Sequence, residues 1–196
     1  MRPRAIPFAF ALATLAPAAP ALAQLHITPT VGAYHPGTDP IDLGGDGVRL
    51  LRGRTLGLGV NIEAGFLRGT IAYASGATIT GDGLGTEGDL GEGTLLAMTA
   101  GIALRPLPRL LGFQPYALLG GGVKRFDYSW NDSRFDDLLP SGDREFVLQY
   151  GAGADLMMGG LGLIAEVYDM VAPELDDSRR HDTFVQLGLR FRLGGS

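Results

Sequence analysis

The sequence predicts an all-β protein, an eight-stranded antiparallel up-and-down transmembrane β-barrel with short periplasmic turns and long extracellular loops. Three observations lead there. Apolar side chains occupy every second position in eight successive segments, each about as long as a strand that crosses a bilayer. The gaps between these segments alternate, short then long. The chain also opens with a secretory signal.

That signal has to be set aside before any folding argument. Arg2 and Arg4 form a positive start, Ala5 to Ala19 an apolar run, and Ala21-Leu22-Ala23 a small-x-small site ahead of Gln24. The expected division is therefore a signal peptide over 1–23 and a barrel domain over 24–196. A membrane-spanning helix fits less well, because the run is short and Pro7, Pro17 and Pro20 interrupt it. With no cysteine in the chain, lipid modification at the cleaved terminus, disulfides and thiolate metal sites all drop out.

Removing the signal takes away two arginines and no acids, leaving 14 basic against 21 acidic side chains, a net of −7. That balance argues against a nucleic-acid partner, which needs a basic face. The 31 glycines follow no collagen period, and the chain is too apolar for a disordered linker. They fit strands whose second face must stay small.

In the first segment, Leu25 to Tyr34, Ile27, Val31 and Ala33 oppose Thr28, Thr30 and Gly32. In the second, Thr55 to Ala64, Leu56, Leu58, Val60 and Ile62 alternate with Gly57, Gly59, Asn61 and Glu63. Phe66 to Ala74 sets Leu67, Ile71 and Tyr73 against Arg68, Thr70 and Ala72. Thr94 to Arg105 sets Leu96, Met98, Ala100, Ile102 and Leu104 against Ala97, Thr99, Gly101 and Arg105. Phe113 to Phe126 opposes Ala117, Leu119 and Val123 to Gly120, Gly122 and Lys124. Phe146 to Met157 opposes Leu148, Tyr150, Ala152, Ala154 and Leu156 to Gln149, Gly151, Gly153 and Asp155. In Leu161 to Asp169 the parity is imperfect, since Ile164 shares the face of Glu166. The last, Thr183 to Leu193, opposes Val185, Leu187, Leu189, Phe191 and Leu193 to Gln186, Gly188, Arg190 and Arg192.

The continuous apolar face is assigned to lipid and the mixed face to the lumen. The mixed face carries Glu63, Asp155 and Glu166 against Arg68, Arg105, Lys124, Arg190 and Arg192, a candidate ion-pair network. An eight-stranded barrel is just wide enough for side chains to fill, and charges there are tolerable only when paired. A soluble lipocalin-type barrel is the alternative, but the connections speak against it. Strands join closely at Gly65, over Pro106 to Gly112, and at Met158-Gly159-Gly160. Long gaps run over Tyr34 to Arg54, Ser75 to Gly93, Tyr128 to Glu145 and Met170 to Asp182. Short turns on one rim and long loops on the other suit an outer-membrane barrel with both termini on the periplasmic side.

Gln114-Pro115-Tyr116-Ala117-Leu118-Leu119-Gly120-Gly121-Gly122-Val123, Tyr150-Gly151-Ala152-Gly153-Ala154-Asp155 and Ala165-Glu166-Val167-Tyr168-Asp169 carry a resemblance. They are similar to recurrent strand patterns of the outer-membrane protein β-barrel domain family, which takes in OmpA-like, OmpX-like and opacity-type small barrels. The resemblance spans essentially the whole chain after the signal, through short and degenerate motifs, and no peptidoglycan-binding domain is expected. Members of that family often end in an aromatic residue read by the barrel-assembly machinery. Here Phe191 is followed by Arg192-Leu193-Gly194-Gly195-Ser196, a departure from that pattern.

Candidate chemistry is sparse. His26 lies at the base of the first strand, and His35 and His181 lie in or beside long gaps. Asp177-Ser178 with His181, and His35 across the rim, form a conceivable hydrolase set, but nothing in the sequence fixes their geometry. The glycine–acid stretch Gly81 to Glu92 offers carboxylates to a divalent cation without the spacing of a calcium loop, so a solvated loop is expected. Trp130 and Phe135, among the acids of the third long gap, are the candidate loop contacts for an extracellular ligand. The interfacial aromatic girdle is the competing place for Tyr128 and Trp130.

No cofactor, metal or catalytic residue is expected. The expected role is a non-enzymatic outer-membrane barrel with a structural or cell-surface interaction function. Its expected partners are outer-membrane lipids, lipopolysaccharide among them, and the barrel-assembly machinery. A narrow pore and a lipid A-modifying enzyme are the alternatives.

Overall fold

A computed structural model describes residues 25–37, 49–82, 89–131, 144–172 and 180–193. The expected signal peptide and Phe135 lie outside these residues. Among the described residues, nine strands follow one another: β1 (Leu25–His35), β2 (Arg49–Arg52), β3 (Thr55–Ala64), β4 (Leu67–Asp82), β5 (Asp89–Leu104), β6 (Phe113–Trp130), β7 (Arg144–Met158), β8 (Leu161–Ala172) and β9 (Arg180–Leu193). Neighbours pair antiparallel, β1 pairs with β9, and β4 pairs with β5 to close the sheet. The result is a closed eight-stranded antiparallel barrel.

Nine labels make eight barrel strands because β2 and β3 share one partner. β3 pairs with Leu67–Ala74 of β4, and β2 pairs with Ile79–Asp82 further along it. Between them, Gly53 donates its backbone N–H to the carbonyl of Thr78. The break faces a bulge on β4, where the register to β5 steps from Ala74 to Ala77 and Gly76 takes φ 74°. One extra residue there keeps Ala74 and Ala77 both buried.

Two hairpins on one rim turn through two residues, Gly65–Phe66 and Gly159–Gly160. In each the first residue is a glycine with positive φ (64° and 69°), the conformation a tight hairpin needs at that point. Residues 105–112 join β5 to β6 on the same rim.

The segments read from alternation are all strands, but several run further than expected. β4 continues to Asp82, β5 begins at Asp89, β6 ends at Trp130 and β7 begins at Arg144. Parts of two expected loops are therefore strand, including Tyr128, Ser129 and both ends of the glycine–acid stretch. The physical reason is that these extensions satisfy their backbone groups by pairing in a part of the wall that no longer carries an apolar outer face. Gly91 stands opposite Trp130 and Gly93 opposite Tyr128.

Outward positions form a continuous apolar belt. Leu56, Leu58, Val60 and Ile62 of β3 are exposed, as are Leu148 of β7, Leu163 and Val167 of β8, and Val185, Leu187 and Leu189 of β9. On β6 the belt runs from Phe113 to Val123 and gives way to the exposed Arg125. Ten residue steps span about 34 Å of strand, or about 26 Å of height at a tilt near 40°, close to the apolar band of known membrane barrels.

Candidate functional site

The lumen near the short-turn rim is filled by charge. Glu63 and Arg68 are register partners across the Gly65–Phe66 hairpin, both facing inward. Arg68 Nη1 bonds Glu63 Oε1 at 3.2 Å, while its Nη2 crosses to Glu166 of β8 at 2.5 and 2.7 Å from the two carboxylate oxygens. Arg105, at the end of β5, donates to Glu63 Oε2 at 2.5 Å. Arg190 of β9 bridges two acids, donating to Glu63 Oε2 and, at 3.2 Å, to Asp155 Oδ2. Arg105 Nε lies 3.7 Å from the same Asp155 oxygen.

Glu166 is the best-served acid of the set. Tyr116 donates to Oε2 at 2.7 Å, Asn61 donates to Oε1 at 3.1 Å, and Gln186 also donates to Oε1. With Arg68, four side chains from four other strands converge on one carboxylate that is only 4 % exposed. A buried carboxylate is tolerable when its lone pairs are taken up in this way. Room for Tyr116 comes from Gly153 on β7, where a Cβ would fall 2.6 Å from the phenol oxygen.

Six of the eight expected network residues meet here: Glu63, Arg68, Arg105, Asp155, Glu166 and Arg190. Lys124 does not join them. It sits towards the other rim, with Asp182 Oδ2 at 2.5 Å, Glu145 Oε2 at 3.3 Å and the Phe126 ring 5.1 Å away. Tyr34 donates to the other Asp182 oxygen at 2.7 Å. Arg192 faces inward at the rim, yet makes no ion pair among the described residues. The expected single network is thus two clusters and a lone arginine, because Lys124 lies ten residues or more along its strand from the short-turn end.

An apolar layer separates the clusters. Tyr34 and Phe184 rings lie 4.8 Å apart, Phe184 and Tyr168 lie 5.1 Å apart, and Val147, Met170, Leu95, Ala72, Ala74 and Ala97 fill the space around them. Thr99 donates to Gln149 at 2.6 Å within the same interior.

Several participants were not singled out from sequence. Asn61 and Gln186 had the right parity but carry no charge, and Tyr116 shares their inward parity. Arg109 stands in the β5–β6 connection, where period gives no orientation, and bonds Asp155 Oδ1 at 3.0 Å. Asp182 and Glu145 had been placed at loop ends.

Trp130 is the last residue of β6, not a loop residue. Phe126, Tyr128 and Trp130 occupy alternate inward positions with ring centroids 6.2 and 6.0 Å apart, so Tyr128 and Trp130 are not part of an outward girdle. The expected hydrolase set does not assemble from the described residues. His35 accepts from Arg54 Nε at 3.1 Å, and His181 lies 2.6 Å from Asp169, while Asp177 and Ser178 fall outside the description. On the outer wall, Asp169 also receives Tyr150 at 2.8 Å and Thr183 at 3.3 Å. These polar groups, with Arg54 and Arg125, mark the upper edge of the apolar belt.

No protein-family model matches the sequence. No curated protein matches it at a significant level. Solved structures do match in shape. The chain is similar to the crystal structure of the outer membrane protein OprG from Pseudomonas aeruginosa, with a TM-score of 0.60 and 16 % identity over 89 % of this chain and 98 % of that one. It is also similar to the crystal structure of Neisserial surface protein A, with a TM-score of 0.55 and 11 % identity over 87 % and 97 %. At these identities the likeness concerns the fold: this chain has the architecture of small outer-membrane β-barrels.

Proposed function

We propose that the chain is a non-enzymatic outer-membrane β-barrel protein with a structural or cell-surface interaction role, exported by a signal over residues 1–23 that is removed after Ala23. The observation that carries this reading is a closed barrel whose outer wall is an apolar belt of membrane height and whose lumen is packed with paired charges. A soluble barrel would turn those faces round. The short-turn rim is assigned to the periplasm and the extended β4, β5 and β6 ends to the cell exterior. The names of the two solved structures, an outer membrane protein and a surface protein, support the same compartment.

Lipopolysaccharide and the other outer-membrane lipids are the partners of the belt, and the barrel-assembly machinery is the partner during insertion. Trp130, at the end of β6, and Phe135, outside the described residues, are proposed as contact points for an extracellular ligand. The paired, layered lumen favours a plug over a pore. Purified protein added to planar bilayers is expected to give no steady single-channel current. Steady currents would replace this reading with a hydrated pore.

A further inference from the structure

Among the described residues, charge does not balance at the short-turn end of the lumen. Five guanidinium groups lie there, Arg68, Arg105, Arg109, Arg190 and Arg192, against three carboxylates, Glu63, Asp155 and Glu166. Arg68 and Glu166 offset one another. Glu63 and Asp155 are then shared by Arg105, Arg109 and Arg190, and Arg192 is left over, so two positive charges are uncompensated.

A second, independent observation lies in the hydrogen bonds. The Nε of Arg192 is buried and has no partner, and so is the Nε of Arg190, a residue only 3 % exposed. Arg190 and Arg192 follow one another on the inward face of β9. His26, the register partner of Arg192 on β1, shares that inward parity and lies within electrostatic reach of Arg190, Arg192 and Arg105, with Glu63 the carboxylate among them. A buried donor without an acceptor and an excess of like charge in a narrow lumen are both unfavourable. One oxyanion relieves both, and the planar guanidinium fork suits its oxygens.

We propose that the short-turn mouth of the barrel is an oxyanion-binding site, in which Arg192, Arg190 and His26 hold a phosphate- or carboxylate-bearing group. The same chemistry has two external sources, a free anion and a lipid headgroup phosphate.

The test follows thermal unfolding of the purified protein in an amine-oxide detergent, with inorganic phosphate titrated against chloride at constant ionic strength. The melting temperature is expected to rise saturably with phosphate. Arg192→Gln should shift the half-saturating concentration upward by about tenfold, the effect of losing one charge-assisted bond. Arg192→Lys should recover part of the response, and Arg125→Gln, at an exposed outward site paired with Asp127, should leave it unchanged. Stabilisation by vesicles containing phosphatidylglycerol, but by neither phosphate nor phosphatidylcholine vesicles, would assign the site to a lipid headgroup. The proposal is overturned by an Arg192→Gln protein that responds to phosphate as the wild type does, or by a wild type that responds saturably neither to phosphate nor to phosphatidylglycerol vesicles.

Discussion

Glu166 shows how a single side chain closes the lower lumen. Its two oxygens accept from Arg68, Tyr116, Asn61 and Gln186. Glu166→Ala removes the acceptor and leaves Arg68 buried with Glu63 as its only carboxylate. The expected cost is roughly 3–5 kcal/mol in chemical unfolding, more than any loop substitution. Sequence parity leaves the ion-pair partner of Glu166 open among the inward-facing cations. The structure gives that role to Arg68, so a double-mutant cycle should find its main coupling between Glu166 and Arg68. Coupling no larger than that between Glu166 and Arg190 would contradict the geometry. Parity identifies which charges enter a lumen, but which ones meet depends on tilt and side-chain reach across the barrel. Those pairings, up to 127 residues apart for Glu63 and Arg190, leave no local signal.

At the scale of the strand, each residue's face decides how a substitution fails. Leu58 and Val60 point outward in the middle of β3, so Arg at either position meets lipid and should cost on the order of 2–4 kcal/mol in bilayers. Equal bilayer stability of Leu58→Arg, Val60→Arg and wild type would refute the outward assignment. Gly59 lies between them and faces in, where a Cβ would stand 2.6 Å from Thr30 Oγ1. Arg there should fail by crowding, in detergent as in bilayer. Gly153→Val tests the same logic on β7. It should displace Tyr116 from Glu166 and lower stability by about 1–3 kcal/mol, visible as a changed near-ultraviolet tyrosine signal. An unchanged signal and melting point would mean that the glycine is not what admits the phenol ring. Alternation made the central strands legible because one face meets lipid there. Above the belt that contrast fades, so the ends at Asp82, Asp89 and Trp130 read as loop although backbone pairing continues. The bulge at Gly76 hides in the same way, since one extra residue shifts parity without changing composition.

For the molecule as a whole, the belt, the paired lower lumen and the aromatic layer above it form one design, in which the β1–β9 and β4–β5 pairings close the sheet around the belt. The eight-fold alternation and the order of short and long gaps carried the architecture, and of the eight charges that inward parity put in the lumen, six meet in the lower cluster. The central claim is that this closed barrel sits in the outer membrane, and heat-modifiable migration tests it most directly. Outer membranes are isolated and run unboiled and boiled on denaturing gels, with the protein detected by antibody. The expected result is a faster band in the unboiled sample that shifts on boiling to the position of the unfolded chain with residues 1–23 removed. A single band unaffected by boiling, or recovery of the protein in the soluble periplasm, would contradict the account.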